Sequence, residues 1–275
     1  MMFDTLPVTG TYGLCPNGKG RPTSSPLSFC VVIPMYNEEL GAERCVRSVS
    51  DELGSAPCRT ALIVVDDGST DRTPEILHRL AGDYKKLIVL SHERNAGYGS
   101  ALRTAARRAA ADGFTYALFM DSDLTNDPKY IPMFVQKMLL GYDVIKASRY
   151  SKGGEVQGVP AHKVAISAIG NRIARFLFRL PISDCTNGFR ALKVDLLTRM
   201  TTTEPGFPAI MEELYLAKSL SSSFCEIPFA LTSRTNKQRP SSFAYRPRVF
   251  YRYLKYAVRS FFRIAPNTSL VKRSV

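Results

Sequence analysis

A chain of 275 residues, 45% hydrophobic and 22% charged, has the length and balance of a folded domain with a sizeable core. Its apolar runs, such as Leu62-Ile63-Val64-Val65, fall far short of the ~20 residues that cross a bilayer, which argues against a membrane-spanning helix. The net charge of +13 is lopsided: eleven Lys or Arg and no Asp or Glu lie between Ile227 and Val275, so one end of the chain is built to meet an anionic partner.

Met1 is followed by no basic-then-apolar leader, so no secretion signal is expected. Six cysteines without a CxxC pair suggest free thiols rather than a zinc site or a disulfide framework. Residues 1–27 are rich in Gly, Pro, Ser, Thr and Asn without periodicity and are expected to form a disordered arm.

The first expected strand is Phe29-Cys30-Val31-Val32-Ile33, ending at Pro34-Met35-Tyr36-Asn37-Glu38, with a helix expected from about Asn37 to Leu53. A second strand, Ala61 to Val65, ends in Asp66-Asp67-Gly68-Ser69-Thr70-Asp71, and Thr73-Pro74 opens the next helix with Pro in a tolerated first-turn position. Leu87 to Leu90 is a third strand. The turn Asn95-Ala96-Gly97-Tyr98-Gly99 then leads into a helix to about Ala111. Strand four, Tyr116-Ala117-Leu118-Phe119, runs into Met120-Asp121-Ser122-Asp123-Leu124, and Asp143 to Ala147 forms strand five.

Short apolar strands alternating with helices predict an α/β fold: a mostly parallel sheet with helices on both faces. Ligands bind such sheets beyond the carboxyl ends of the strands, and three of these strands deliver polar or acidic residues there. In extended chain, residues i and i+2 point the same way, so Asp121 and Asp123 can converge on a divalent cation that substrate phosphates complete. The competing reading of the pair is a turn or helix cap. A GxGxxG after the first strand is absent, which argues against the usual dinucleotide fold. His78 and His92 have no nucleophile near them in sequence and read as surface or satisfied side chains.

In order and spacing, Pro34-Met35-Tyr36-Asn37-Glu38, Val65 to Asp71, Asn95 to Gly99 and Asp121-Ser122-Asp123 resemble the family-two glycosyltransferases of the GT-A, Rossmann-like fold. Ser148-Arg149-Tyr150-Ser151-Lys152-Gly153-Gly154 and Asp184-Cys185-Thr186-Asn187-Gly188-Phe189-Arg190 narrow the resemblance to the dolichol- or polyprenol-phosphate mannose synthase branch. It implies a GT-A domain over residues 28–232 and inverting transfer of a hexose, of mannose or glucose type, from a nucleotide sugar such as GDP-mannose to a polyprenyl phosphate. Pro34, Tyr36, Glu38, Asp66, Asp67, Gly97 and Ser122 would line the nucleotide-sugar pocket. Asp121 and Asp123 would hold Mg²⁺ or Mn²⁺ against the diphosphate, and Arg149 and Arg234 would contact phosphates. Lys163, Arg172, Arg175 and Arg190 are further candidates for the acceptor phosphate, with a solvated helix face or a structural ion pair as the alternative for each. Thr125 departs from the Gln usual in that branch; a hydroxyl or a water would serve there. The stretch from Thr235 to Ser242 is longer than its counterpart in the branch.

Residues 233–275 form a basic aromatic segment. Arg248, Arg252, Lys255 and Arg259 fall on one helical stripe, and Phe250, Leu254, Ala257 and Phe261 on the opposite one. Such a basic amphipathic helix either lies in a membrane interface or packs its apolar face on the domain. The resulting expectation is a protein peripheral on the cytoplasmic face of a membrane, with room for a membrane-anchoring partner protein. Two other readings stay open: the same fold acting on a soluble or lipid hydroxyl acceptor, and a basic nucleic-acid-binding protein. No RNA-binding motif precedes the tail, so no nucleic acid is expected.

Overall fold

The computed structural model describes residues 26–220, 222–232 and 247–271, with side chains of the last segment described from Tyr251 onward. The expected N-terminal arm up to residue 25, Arg234, the stretch Thr235 to Ser242, and the side chains of Arg248 and Phe250 lie outside the described residues.

The first half of the chain alternates strictly: β1 (Ser28–Met35), α1 (Ala42–Gly54), β2 (Arg59–Asp66), α2 (Thr73–Asp83), β3 (Leu87–Ser91), α3 (Tyr98–Ala111), β4 (Tyr116–Phe119), α4 (Ile131–Leu139) and β5 (Val144–Ser148). The second half is less regular: β6 (Glu155–Val156), α5 (Ala161–Phe178), β7 (Arg190–Lys193), α6 (Val194–Arg199), α7 (Ala209–Ser219), β8 (Phe224–Pro228), β9 (Ala230–Leu231) and α8 (Pro247–Phe261). Seven strands form one sheet in the order β3-β2-β1-β4-β7-β5-β8, and β6 pairs with β9 in a small second sheet. Only β7 of the large sheet runs antiparallel to its neighbours β4 and β5. The expected mostly parallel α/β sheet is therefore present.

Period-two alternation along β1 sends Cys30 and Val32 to one face and Phe29, Val31 and Ile33 to the other, and each face carries its own core. Helices α1, α2 and α4 cover the second face; α3, α5, α6, α7 and α8 cover the first. Along α3 the buried stripe is Ala101, Ala105 and Ala109, small side chains that let the helix lie close to the sheet.

Two expectations need correction. Helix α1 starts at Ala42 rather than Asn37, because residues 37–41 are spent on binding the β1 and β2 loops together. Asn37 takes a left-handed φ of 54°. Its N–H donates to Ser69 Oγ (2.9 Å), its Oδ1 accepts from Thr70 N (2.8 Å), and Glu38 N donates to Thr73 Oγ1 (2.8 Å).

The second correction concerns α8. Its inward face is Tyr253, Tyr256, Ala257 and Ser260, packed on α5 and α7. The cations do not point away from the domain: Arg252 pairs with Glu204, Lys255 Nζ lies 3.8 Å from the same carboxylate, and Arg259 sits over the Tyr215 ring at 5.7 Å. Leu254, on the expected apolar stripe, is 40% exposed, and Tyr251 is 72% exposed, so the part of that stripe at Leu254 is not packed on the domain. Glu204, 7% exposed as a side chain, is the carboxylate on which Arg252, Lys255 and the Tyr256 hydroxyl of this helix converge.

Candidate active site

Because β5 and β8 run with β4, the carboxyl ends of β1, β2, β4 and β5 meet at one edge. The sequence candidates gather there. Pro34 is the penultimate residue of β1, Asp66 ends β2, Asp121 and Asp123 follow β4, and Arg149 follows β5. Pro34 in β1 and Tyr36 and Glu38 in the loop after it are half-buried, as are Ser122 and both acids in the fourth loop.

Asp67 has a structural task at this edge. Its Oδ1 accepts from Ala96 N (2.9 Å), its Oδ2 from Gly97 N (2.8 Å), and His92 Nδ1 lies 2.6 Å from Oδ1. An ionised carboxylate only accepts, so the His92 proton sits on Nδ1, with Nε2 facing the Thr104 hydroxyl at 2.9 Å. His92 is thus the satisfied side chain the sequence suggested, and Asp67 is the post on which the Asn95–Gly97 turn hangs. Asp66, 3% exposed, takes Ser69 N at 3.1 Å.

That turn is clamped from above by residues 204–205. A Cβ on Gly97, whose φ is 95°, would lie 2.4 Å from Pro205 O; one on Gly99 would lie 2.1 Å from Glu204 O. Glycine is required at both because backbone occupies the space. Gly99 N donates to Pro205 O (2.7 Å), and Arg103 Nη1 donates to Glu204 O (3.0 Å). Tyr98, between the glycines, stacks on Phe207 with ring centroids 4.7 Å apart.

The two acids of the fourth loop are held by their own neighbours. Leu124 adopts φ 56°, a left-handed conformation that costs a non-glycine residue ~1–2 kcal/mol. The kink turns the chain back, so that Thr125 N and Oγ1 donate to Asp123 Oδ1 (3.1 and 2.7 Å) and Asn126 Nδ2 donates to Asp121 Oδ2 (3.1 Å).

Beneath them lies the Asp184–Arg190 loop. A Cβ on Gly188 would fall 3.3 Å from both Asp121 oxygens and 3.2 Å from the Tyr98 hydroxyl, so this backbone forms the floor under the carboxylate. Lys146, fully buried on β5, props the loop by donating to the carbonyls of Asn187 (2.5 Å) and Cys185 (3.3 Å). Asn171 Oδ1 accepts from Cys185 N at 2.8 Å. Burial, and after it the Arg190 charge, pulls the Lys146 ammonium down to about 7.

The cations proposed for phosphates fare differently. Arg149 keeps its place at the edge, in a two-pronged pair with Asp184 (2.7 and 2.9 Å) and 16% exposed as a side chain. Burial alone would raise the Asp184 carboxyl; Arg149 outweighs that and holds it below the ordinary range. Arg190 is not an acceptor-phosphate ligand. It is 1% exposed, its Nε donates to Glu213 Oε2 (2.7 Å), its Nη1 donates to Gly188 O (2.7 Å), and its guanidinium lies over the Phe119 ring at 4.7 Å. A buried cation with that set is a structural pair. Lys163 and Arg172 are both exposed on α5.

Sequence reading missed Lys146, Asn126, Tyr98 and Tyr253 as parts of the site. Tyr253 of α8 is largely buried, which raises its hydroxyl, and Tyr98, Asp121, Arg190 and Arg149 all lie near enough to act on it. A lysine inside the apolar run Val144 to Ala147 was the available signal for Lys146.

Among the described residues no three His, Cys, Asp or Glu side chains form a metal cage. Two hard carboxylates at the sheet edge still suit a cation that completes its shell with phosphate and water, and glycine at 188 keeps a side chain off Asp121. Paired acids at the carboxyl edge of a mostly parallel sheet, with one antiparallel strand beside β4, define the GT-A class of α/β fold.

Comparison with known proteins agrees. The family model described as glycosyl transferase family 2 matches residues 30–200, and the chain belongs to that family. It is 31% identical over 212 residues to a dolichol-phosphate mannosyltransferase of Pyrococcus furiosus, covering 76% of this chain; it spans 57%, just over half, of that protein's length. It is 28% identical over 218 residues to a polyprenol monophosphomannose synthase of Mycolicibacterium smegmatis, covering 78% of this chain and 80% of that one. Among solved structures, glucosyl-3-phosphoglycerate synthase from Mycobacterium tuberculosis, in complex with Mn²⁺, UDP-glucose and phosphoglyceric acid, superposes with a TM-score of 0.59. The two are 25% identical, over 84% of this chain and 80% of that one.

Proposed function

We propose that this glycosyltransferase moves a hexose from a nucleotide sugar to a polyprenyl phosphate, with inversion at the sugar carbon. The observation that carries the reading is the meeting, at one sheet edge, of the Asp121–Asp123 pair and Arg149, beside a surface that exposes apolar side chains. On α5 that surface is Ile166, Ile169, Ile173 and Phe176; Leu254 and Tyr251 of α8 adjoin it, with Phe176 and Phe261 rings 5.8 Å apart. No helix among the described residues is long and apolar enough to cross a membrane, so the acceptor's hydrocarbon would be met at a surface. The relatives named for dolichol- and polyprenol-linked substrates support this acceptor.

In this reading the loops after β1 and β2, through Pro34, Tyr36, Glu38 and Asp66, bound the nucleotide pocket, with Ser122 beside it. Asp67 holds the Gly97 turn closed against it. Asp121 and Asp123 would hold Mg²⁺ or Mn²⁺, whose bound charge offsets the negative charge developing on the departing diphosphate. Arg149, fixed by Asp184, orients one phosphate, and Arg234 is proposed for another. A phosphate monoester is anionic near neutrality and attacks without a general base. The exposed α5–α8 face would rest on the cytoplasmic surface of a membrane, or on an anchoring partner protein.

The structural likeness to an enzyme crystallised with phosphoglyceric acid favours a second reading, transfer to a hydroxyl of a soluble phosphorylated acceptor. Release of nucleoside diphosphate by purified protein separates the two. The panel is GDP- and UDP-sugars with Mg²⁺ or Mn²⁺, with and without a short polyprenyl phosphate, alongside Asp123→Ala. Turnover that needs lipid phosphate, metal and Asp123 is the expected result. Lipid-independent turnover would transfer the proposal to the soluble acceptor, and silence from folded protein across the panel would overturn both.

A further inference from the structure

We propose that Thr125 and Asn126 are positioning residues for the Asp121–Asp123 pair, each clamping one carboxylate oxygen so that the pair meets a divalent cation with its geometry already set. The inference rests on the metal reading above; it adds Asn126, to which that reading gives no role, and assigns the Thr125 hydroxyl to Asp123 rather than to the ion itself. Each clamp is short and local. The Thr125 hydroxyl and amide both reach Asp123 Oδ1, and the Asn126 amide nitrogen spans five residues back to Asp121 Oδ2.

Two independent features show the clamps are built in. Leu124 holds a left-handed φ that leucine ordinarily avoids, and that kink is what turns Thr125 and Asn126 toward the acids. Asn126 is 1% exposed, so its amide is committed to the interior, and the Thr125 carbonyl is met on its outer side by Thr232 N at 3.5 Å. Gly188 closes the arrangement from below, where any side chain would press on Asp121. A Thr125 hydroxyl whose proton goes to Asp123 therefore acts through that acid.

Fixing carboxylate rotamers before the ion arrives removes an ordering cost from binding, and loss of such outer partners weakens metal sites by roughly 10–100-fold. The test is Mn²⁺ titration of the full chain, followed by the electron paramagnetic resonance signal of free Mn²⁺ with UDP or GDP present. Asn126→Ala and Thr125→Val should each weaken Mn²⁺ binding by about tenfold or more, while Thr125→Ser, which keeps the hydroxyl, restores it. In turnover, the Mn²⁺ concentration for half-activity should rise in both variants, while kcat at saturating Mn²⁺ recovers most of its value. Because Asn126 is buried, metal-free thermal unfolding is measured beside it; the half-buried Thr125 pair carries the test if Asn126→Ala fails to fold. Variants that bind Mn²⁺ within twofold of wild type would overturn the inference and leave the metal site standing. Coincident curves for wild type and Asp123→Ala would overturn the metal reading itself.

Discussion

Replacing Lys146 with Met should erase a pH dependence of stability that the wild-type protein carries. Lys146 lies fully buried under the Asp184–Arg190 loop, and burial lowers its ammonium from 10.5 to about 7. Below about pH 7 both folded and unfolded chains bind the proton, and the cost of a buried charge is complete. Between about 7 and 10.5 the unfolded chain still binds it while the folded chain has released it, so stability rises with pH. At 1.36 kcal/mol per pH unit the whole rise is about 5 kcal/mol, and the part between pH 7 and 9 is about 2 kcal/mol. In a domain of this size that is ~4–8 °C in Tm. Met also strands the carbonyls of Asn187 and Cys185, so stability at any one pH mixes two effects; the slope isolates the titration. Thermal unfolding of wild type and Lys146→Met at pH 7, 8 and 9 measures it. Parallel lines for the two proteins would refute the reasoning.

Gly99→Ala should destabilise, although alanine in place of glycine ordinarily strengthens a helix by ~1 kcal/mol. The added Cβ would lie 2.1 Å from Glu204 O and 3.0 Å from Ala209 Cβ, so backbone must move; a loss of about 2 kcal/mol or more by urea unfolding is expected, and a gain would show the contact to be slack. Glu204→Ala should release α8, because Arg252, Lys255 and the Tyr256 hydroxyl (2.8 Å) all converge on that carboxylate. Loss of the shared carboxylate removes the ion pairs and one acceptor of the buried Tyr256 hydroxyl, so amide hydrogen exchange should quicken along α8 and stay unchanged in β1 and β2.

The parallel half of the sheet was legible because its signal is local. Runs such as Phe29–Ile33 and Ala61–Val65 are apolar without alternation, as strands buried on both faces must be, and their acidic ends mark the edge where ligands bind. Strand β7 was not legible: four residues bounded by Arg190 and Lys193 have no strand signature, and they pair only because β4 and β5 offer free edges on either side. The start of α1 was missed because Asn37 and Glu38 are bound by Ser69, Thr70 and Thr73, partners more than thirty residues away. For the same reason Arg190 looked like a phosphate ligand. Nothing beside it in sequence announces that Glu213 will meet it inside the protein.

Charge inside the site also bears on where phosphates can be held. Arg190 is committed to Glu213, Lys146 to main-chain carbonyls, Arg149 to Asp184 and Arg252 to Glu204. Each of these cations offsets a buried acid or props a loop, so the three ion pairs add nothing to the net charge of +13, whose excess lies on other cations of the chain. Of the four, Arg149 keeps a partly exposed guanidinium at the edge itself, already oriented, which suits a fixed contact more than a long-range attraction. Under the proposed function, attraction would fall to the basic run that begins at Arg234, which starts outside the described residues. The last described residue before that run, Thr232, donates its N–H to the Thr125 carbonyl, in the very turn that clamps Asp123. Arg234 follows two residues later in the sequence. The described cations at this edge thus share one duty: held by acids or main-chain carbonyls, they shape the site.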